Sequence, residues 1–295
     1  MSIVKNSLYA NGTKFSPIID ASSQKVGEFD MENYIKYCLY SWVGKKVAFL
    51  GDSITEGANT ERIYWEYLED LIGIEATSYG ISGAMWMPTD THKDILTQAR
   101  SAVASGVAYD AIFVFCGTND FYNNVPMGEW YNEEDYQTAL TDRGVIKKRV
   151  LTSAADATEK GYINDAMKYI KQNYPNAQVI MMTPIHRGRC GDKVLGSTYA
   201  ADNEFASNKS LIYLSDFVNA VKEGAEIWSC PCINLYKDCG ILSWMDEYGE
   251  NYLNKKNDDR MSDSLHPNRA GHWRIAQTIA SKLVSIPCGT FDLTK

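Results

Sequence analysis

Val47-Ala48-Phe49-Leu50-Gly51-Asp52-Ser53-Ile54-Thr55-Glu56-Gly57 is the stretch on which the fold turns. Its apolar run reads as a buried β-strand, and a serine directly after such a strand stands at the sheet edge where open α/β folds gather their ligands. The glycines on either side let the backbone turn sharply and approach a substrate with no Cβ in the way. The helix that follows aims its N-terminal amides at any negative charge developing there. Ser53 is thus in a nucleophile's position.

Outward from that stretch, strands alternate with helices. A helix capped by Thr60 carries Ile63, Tyr64, Tyr67, Leu68 and Leu71 on one face and ends at Gly73; a second strand covers 75–79 and a helix 95–104. A third strand runs from Ala111 to Cys116, a helix covers 162–172, a fourth strand 178–183, a helix 211–225 and a fifth strand 232–235. A last helix over 269–284 bears Ile275, Ile279 and Leu283. The pattern predicts an α/β protein, a three-layer, doubly wound parallel sheet of five strands.

That unit occupies residues 44–295, preceded by an extension, 1–43, packed on the core. The extension contains a hairpin turn at Asn11-Gly12 and an amphipathic helix with Met31, Tyr34, Ile35, Cys38, Leu39 and Trp42 at helical spacing. Insertions at about 121–159, 187–207 and 237–262 follow strand ends, where long loops tend to carry function.

Composition excludes several classes of partner. The formal charge is −8 and no run of Lys and Arg appears, which argues against nucleic acid. No segment approaches transmembrane length and the N-terminus lacks a secretory signal, so the expectation is a cytoplasmic protein, secreted only if a signal has been removed. The seven cysteines have no framework of even spacing and read as free thiols. Cys230-Pro231-Cys232 with Cys239 lacks the paired spacing and histidine of a metal site, so no metal is expected. Oligomeric state is not legible.

Three further blocks join the first: Gly80-Ile81-Ser82-Gly83 after the second strand, Gly117-Thr118-Asn119-Asp120 after the third, and Asp263-Ser264-Leu265-His266-Pro267 ahead of the last helix. In order and placement, over residues 47–285, they resemble the SGNH (GDSL-type) hydrolases. The resemblance implies a flavodoxin-like sheet of order 2-1-3-4-5 and a catalytic set of Ser53, Asp263 and His266. It also implies an oxyanion hole from the Ser53 and Gly83 backbone amides and the Asn119 side chain. Ile54 replaces the family's usual leucine, an apolar swap of equal volume. Ser78 stands where many members carry an asparagine that supports the loop.

The chemistry agrees. A serine hydroxyl needs an adjacent base, and of the four histidines His266 is the best candidate. The spacing Asp263-x-x-His266 lets the carboxylate fix the imidazole tautomer. Asp52 and Asp120 read as structural acceptors within their turns, and Asn119 without its company would be a turn residue. Gly83, acting through its backbone, is a matter of access. His92 and His272 read as surface or helix residues.

Pocket candidates are Trp86, in the apolar segment Ala84-Met85-Trp86-Met87-Pro88 beside the oxyanion hole, His186, and Trp130 in the first insertion. Aromatics such as these, with Tyr131 and Trp244, either face sugar rings and acyl groups or pin their loops to the domain. The function expected is a cofactor-free serine esterase acting on short acyl esters, with O-acetyl on a carbohydrate preferred. Thioesterase or lysophospholipase activity is the nearest alternative, and a non-catalytic carbohydrate-binding module on the same fold is the alternative of another class.

Overall fold

Apolar runs that read as strands in the sequence lie side by side in the computed structural model, which describes residues 9–10, 13–14, 41–137, 146–188, 204–255 and 262–288. The central sheet has five strands: β1 (Lys46–Gly51), β2 (Glu75–Ser78), β3 (Ala111–Phe115), β4 (Gln178–Met182) and β5 (Cys232–Ile233). All pairs are parallel and the order is 2-1-3-4-5, as the family resemblance implies.

The strands carry two cores because successive side chains point to opposite faces. Val47, Phe49, Ala111, Phe113, Phe115, Ile180 and Met182 face one layer, where they meet helices α2 (Tyr64–Ile72) and α7 (Arg269–Leu283). Ala48, Leu50, Ile112, Val114, Val179 and Met181 face the other, against α3 (Ile95–Ala104), α5 (Glu159–Asn173) and α6 (Leu214–Ile227). Phe113 anchors the first layer, its ring 5.0 Å from Phe49 and 5.9 Å from Trp42. Truncating such a buried aromatic typically costs about 3–5 kcal/mol.

Register sets up the site. Gly51 pairs with Phe115, Phe115 with Met182 and Met182 with Ile233, so the carboxyl ends of β1, β3, β4 and β5 are level. On the other side of β1, Phe49 pairs with Ser78, and Ile81 N–H donates to the Gly51 carbonyl at 3.1 Å.

Several expected boundaries shift for local reasons. Thr60 does not cap α2: its hydroxyl is taken by Arg62, donating to that carbonyl at 3.0 Å. The helix starts at Tyr64, where Glu66 accepts the Ile63 N–H at 2.7 Å. The apolar face of α2 is Tyr64, Tyr67, Leu68 and Ile72, and Leu71 is exposed. Helix α6 begins at Leu214 because Leu211 is left-handed, at φ 59°. Helix α5 starts earlier than expected, at Glu159, with Thr158 Oγ1 accepting from Gly161 N–H at 3.3 Å.

The Asn11-Gly12 hairpin has its flanking strands, Tyr9–Ala10 and Thr13–Lys14, paired antiparallel, while the turn itself and the helix expected from Met31 to Leu39 lie outside the described residues. Trp42 at the end of the extension is fully buried and its indole N–H donates to Ile286 O at 3.0 Å. The insertion after β3 contains an antiparallel ladder, Tyr131–Gln137 with Ile146–Leu151, that the sequence reading leaves without strands. The insertion at about 187–207 is described only at its ends, while that at about 237–262 is described over 237–255 and contains a helix, Asp246–Tyr252. Among the described residues no helix is long and apolar enough to cross a membrane. Cys116, Cys230, Cys232, Cys239 and Cys288 are free thiols; Cys38 and Cys190 lie outside the described residues.

Candidate active site

Ser53 opens the short helix α1 (Ser53–Glu56), whose N-cap Asp52 accepts the Ile54 N–H at 2.9 Å. Gly51 is required by close approach: a Cβ there would lie 2.2 Å from Thr55 Oγ1 and 2.8 Å from Phe115 O. From α3, buried Gln98 grips that glycine by both backbone groups, accepting from Gly51 N–H and donating to Gly51 O, each at 2.8 Å. The nucleophile's turn is thereby fixed at its entry.

Across the cleft, Ser53 Oγ and His266 Nε2 are 2.9 Å apart. His266 lies on the strand Ser262–Pro267, which pairs with Leu253–Lys255. Below it Asn268 accepts from Ala270 and Gly271 N–H at the start of α7 and donates to Leu253 O at 3.1 Å. Asp263 belongs to the same strand, but its side chain lies outside the described residues.

The oxyanion candidates lie on the turns that follow β1, β2 and β3. The Ser53 N–H is at the first position of α1, where a helix has no partner of its own to offer. Gly83 sits at φ 81° in the turn closed by Ala84 N–H to Ile81 O at 2.9 Å, and an added Cβ would meet nothing within 4 Å. The left-handed backbone is a reason for glycine in its own right, beside the open approach expected of it. Asn119 is in α4 (Thr118–Tyr122), and its Nδ2 donates to Ala84 O at 2.9 Å. An amide nitrogen carries two hydrogens, so one remains for a developing charge. Ser78 supplies the loop support expected of asparagine, accepting from Gly80 N–H at 3.2 Å and donating to Thr55 O at 3.3 Å.

Buried acids tie these turns together. Asp120 accepts from Met87 N–H at 3.1 Å and Trp86 N–H at 3.2 Å, joining the Gly83 loop to α4. Burial pushes its pKa up to about 6, against the pull of those two amides. Asp52 is also pushed up to about 6 by burial, opposed by the Ile54 amide and by His266. Glu159, fully buried at the start of α5, is pushed well above the usual carboxylate range by burial and by the charge of Asp120. Both carboxyl oxygens of Glu159 are buried with no hydrogen-bond partner among the described residues, which leaves its charged form uncompensated.

Other sequence candidates are placed differently. Trp86 is 1 % exposed and Trp130 8 %; both belong to the core beneath the loops, and Trp130 Nε1 donates to Glu223 at 2.7 Å. His186 pairs its Nδ1 with Glu204 at 2.7 Å and packs on Tyr236, ring centroids 3.7 Å apart. His272 is helical but interior rather than superficial: its Nδ1 accepts from Tyr64 N–H at 3.3 Å, and burial together with His266 pushes its pKa down to about 3. Among the described residues no group of His, Cys, Asp and Glu is placed to hold a metal.

Gln98 and Glu159 escape the sequence reading. Gln98 had a signal, a polar side chain on the buried stripe of Ile95, Ala99 and Ala102.

The model of the GDSL-like Lipase/Acylhydrolase family matches residues 49–274, from within β1 to within α7, and the chain belongs to that family, one of hydrolases acting on esters. Among curated proteins no sequence matches it. Among solved structures, a protein from Lactobacillus plantarum has a TM-score of 0.61 at 24 % identity, covering 82 % of this chain and 98 % of its own. A protein from Chitinophaga pinensis gives 0.55 at 19 %, covering 82 % and 98 %. The lipase/acylhydrolase from Enterococcus faecalis gives 0.50 at 16 %, covering 83 % and 99 %. At these identities the likeness is one of fold.

Proposed function

We propose that this protein is a serine esterase that hydrolyses short acyl esters, O-acetyl groups on carbohydrate above all, through an acyl-enzyme. The observation that carries the reading is the 2.9 Å contact between Ser53 Oγ and His266 Nε2 at the end of β1. With His266 neutral and its proton on Nδ1, Nε2 accepts the hydroxyl proton as Oγ attacks the ester carbonyl. The carbonyl oxygen becomes an oxyanion facing the Ser53 and Gly83 amides and the second N–H of Asn119. Collapse breaks the bond to the alcohol, which leaves with the proton from His266. Water, deprotonated by the same nitrogen, then attacks the acyl-serine and releases the acid. Asp263 is assigned to His266 Nδ1, where it holds the tautomer and stabilises the imidazolium. No metal or organic cofactor enters this scheme.

Two features support a short acyl group. Ser53 retains only 7 % of its surface, and Ala84, Met85 and Trp86 beside the oxyanion turn are packed inward. Turnover should therefore be fastest for p-nitrophenyl acetate and fall as the acyl chain lengthens, with acetate released from acetylated oligosaccharides. Ser53→Ala should lower kcat on the acetate ester by about four orders of magnitude or more with the fold intact. Wild-type turnover in Ser53→Ala would end the serine mechanism, and preference for an octanoyl ester would end the short-acyl assignment.

A further inference from the structure

Arg187 has no part in that scheme, yet it is 2 % exposed. A guanidinium stays charged in any environment, so a fold that buries one must surround it with acceptors. Its Nη1 donates to the Thr118 carbonyl at 2.7 Å and to Thr118 Oγ1 at 3.1 Å. Its Cζ lies 5.8 Å from the Phe121 ring and 5.7 Å from that of Tyr122. One cation therefore grips the first residue of α4 and packs on two of its aromatic side chains.

The gripped carbonyl belongs to the peptide that links Thr118 to Asn119. Since that peptide is planar, fixing its oxygen fixes the direction in which the Asn119 chain departs. Ala84 O fixes the far end of the same side chain. Ahead of Thr118 stands Gly117 at φ 123°, a residue that offers the turn little stiffness of its own. Arg187 is braced in turn: Glu204, bonded to His186, also accepts from the Arg187 N–H at 3.4 Å, and Glu204 N–H donates back to Arg187 O at 3.4 Å.

We propose that Arg187 is a positioning residue for the oxyanion donor Asn119, holding the Thr118–Asn119 peptide so that the amide meets the charge that develops on the substrate carbonyl. This rests on the esterase reading above. The interaction it protects strengthens only in the transition state, so its loss acts on kcat and not on ground-state binding.

The test is a double-mutant cycle on p-nitrophenyl acetate hydrolysis, with Arg187→Met and Arg187→Lys made in the wild-type and Asn119→Ala backgrounds. In the wild type each should lower kcat by about tenfold or more with KM nearly unchanged, Lys included, because an ammonium cannot reproduce the planar two-acceptor grip. Affinity for methyl trifluoromethyl ketone, whose carbonyl takes up Ser53 Oγ to give a hemiketal oxyanion, should fall in step. In Asn119→Ala the same replacements should cost less than about twofold, the two losses being one loss. If the Arg187 variants do not fold, Thr118→Val, which removes one of the two acceptors, should show a smaller kcat loss and the same non-additivity. Equal losses in both backgrounds, or a change confined to KM, would overturn the positioning role alone. Normal kcat in Asn119→Ala would overturn it together with the oxyanion assignment beneath it.

Discussion

The two turns that build the site, 51–57 after β1 and 117–122 after β3, look alike in outline: strand, glycine, short helix. They are held in opposite ways. The first closes largely on its own residues, with Asp52 capping Ile54, Gly57 N–H closing on Ser53 O at 2.9 Å, and Thr55 meeting Tyr64 at 3.1 Å, while Gln98, Ile81 and Ser78 reach it from outside through Gly51 and Thr55. The second depends on distant segments: Asn119 on Ala84, Asp120 on Trp86 and Met87, Thr118 on Arg187, and the Phe121 carbonyl on Asn208, whose Nδ2 donates to it at 3.1 Å. A turn closed largely on itself holds its nucleophile against the loss of any one outside bond. A turn hung from three other segments can be slowed from any of them.

The comparison breaks most readily at Asn119. Asn119→Ala should reduce kcat by about 100-fold or more with little change in KM. It should also lose about 1 kcal/mol of stability, because the hydrogen bond to Ala84 O disappears with the amide. Denaturation and kinetics on one sample check both, and a stability loss with normal kcat would make Asn119 a turn residue only.

Gln98→Leu tests the support that reaches the first turn from α3. It leaves the Gly51 N–H buried without its acceptor and should destabilise by about 1–3 kcal/mol in urea titrations. If that turn is closed largely on itself, kcat of the folded enzyme should change by less than about fivefold, well under the loss at Asn119.

The smallest effect is a slope. A carboxyl raised by the fold stabilises it fully below its unfolded pKa and loses that contribution as pH rises through its folded value, which describes Asp52, Asp120 and Glu159. His272, pushed down to about 3, works the other way, contributing fully above the ordinary histidine range and less as pH falls toward 3. Glu159→Gln removes one raised carboxyl. Between the ordinary carboxylate range and the raised value, the slope of unfolding free energy against pH should become more positive by up to about 1.4 kcal/mol per pH unit. An unchanged slope would mean that Glu159 does not hold its proton through that range.

Legibility followed the same division. Short apolar runs bounded by turn residues, such as 111–115, read as buried strands by their length and their flanks, and the glycine-bounded turn of Ser53 carries its reason within a few residues. The strand order needed the family blocks, since periodicity does not say which strand lies beside which. Helix α2 was misread at its start because two side chains compete for the cap, and Glu66 wins over Thr60. His272 is in a helix, one of the two places the sequence allows it, and its burial is legible from the stripe it shares with Ile275, Ile279 and Leu283, where a polar residue on a buried face signals an interior role. Nothing local marked the ladder of Tyr131–Gln137 with Ile146–Leu151. It is rich in Glu and Lys, and its cross-strand pairs, Glu134 with Lys148 at 3.1 Å among them, emerge only once the register is known.

The level register of β1 and β3 makes the sheet a ruler for the chemistry. Neighbouring strands stand about 4.8 Å apart and advance about 3.3 Å per residue, while a hydrogen bond tolerates only a few tenths of an ångström. Ser53 is flanked by β2, which leads to Gly83, and by β3, which leads to Asn119, so on the proposed mechanism a slip of one residue in either pairing would carry a donor out of reach. New substrates must then be accommodated by lengthening or recolouring the loops beyond the strand ends, with the spacing beneath them left untouched. The insertions sit where such variation leaves the ruler intact.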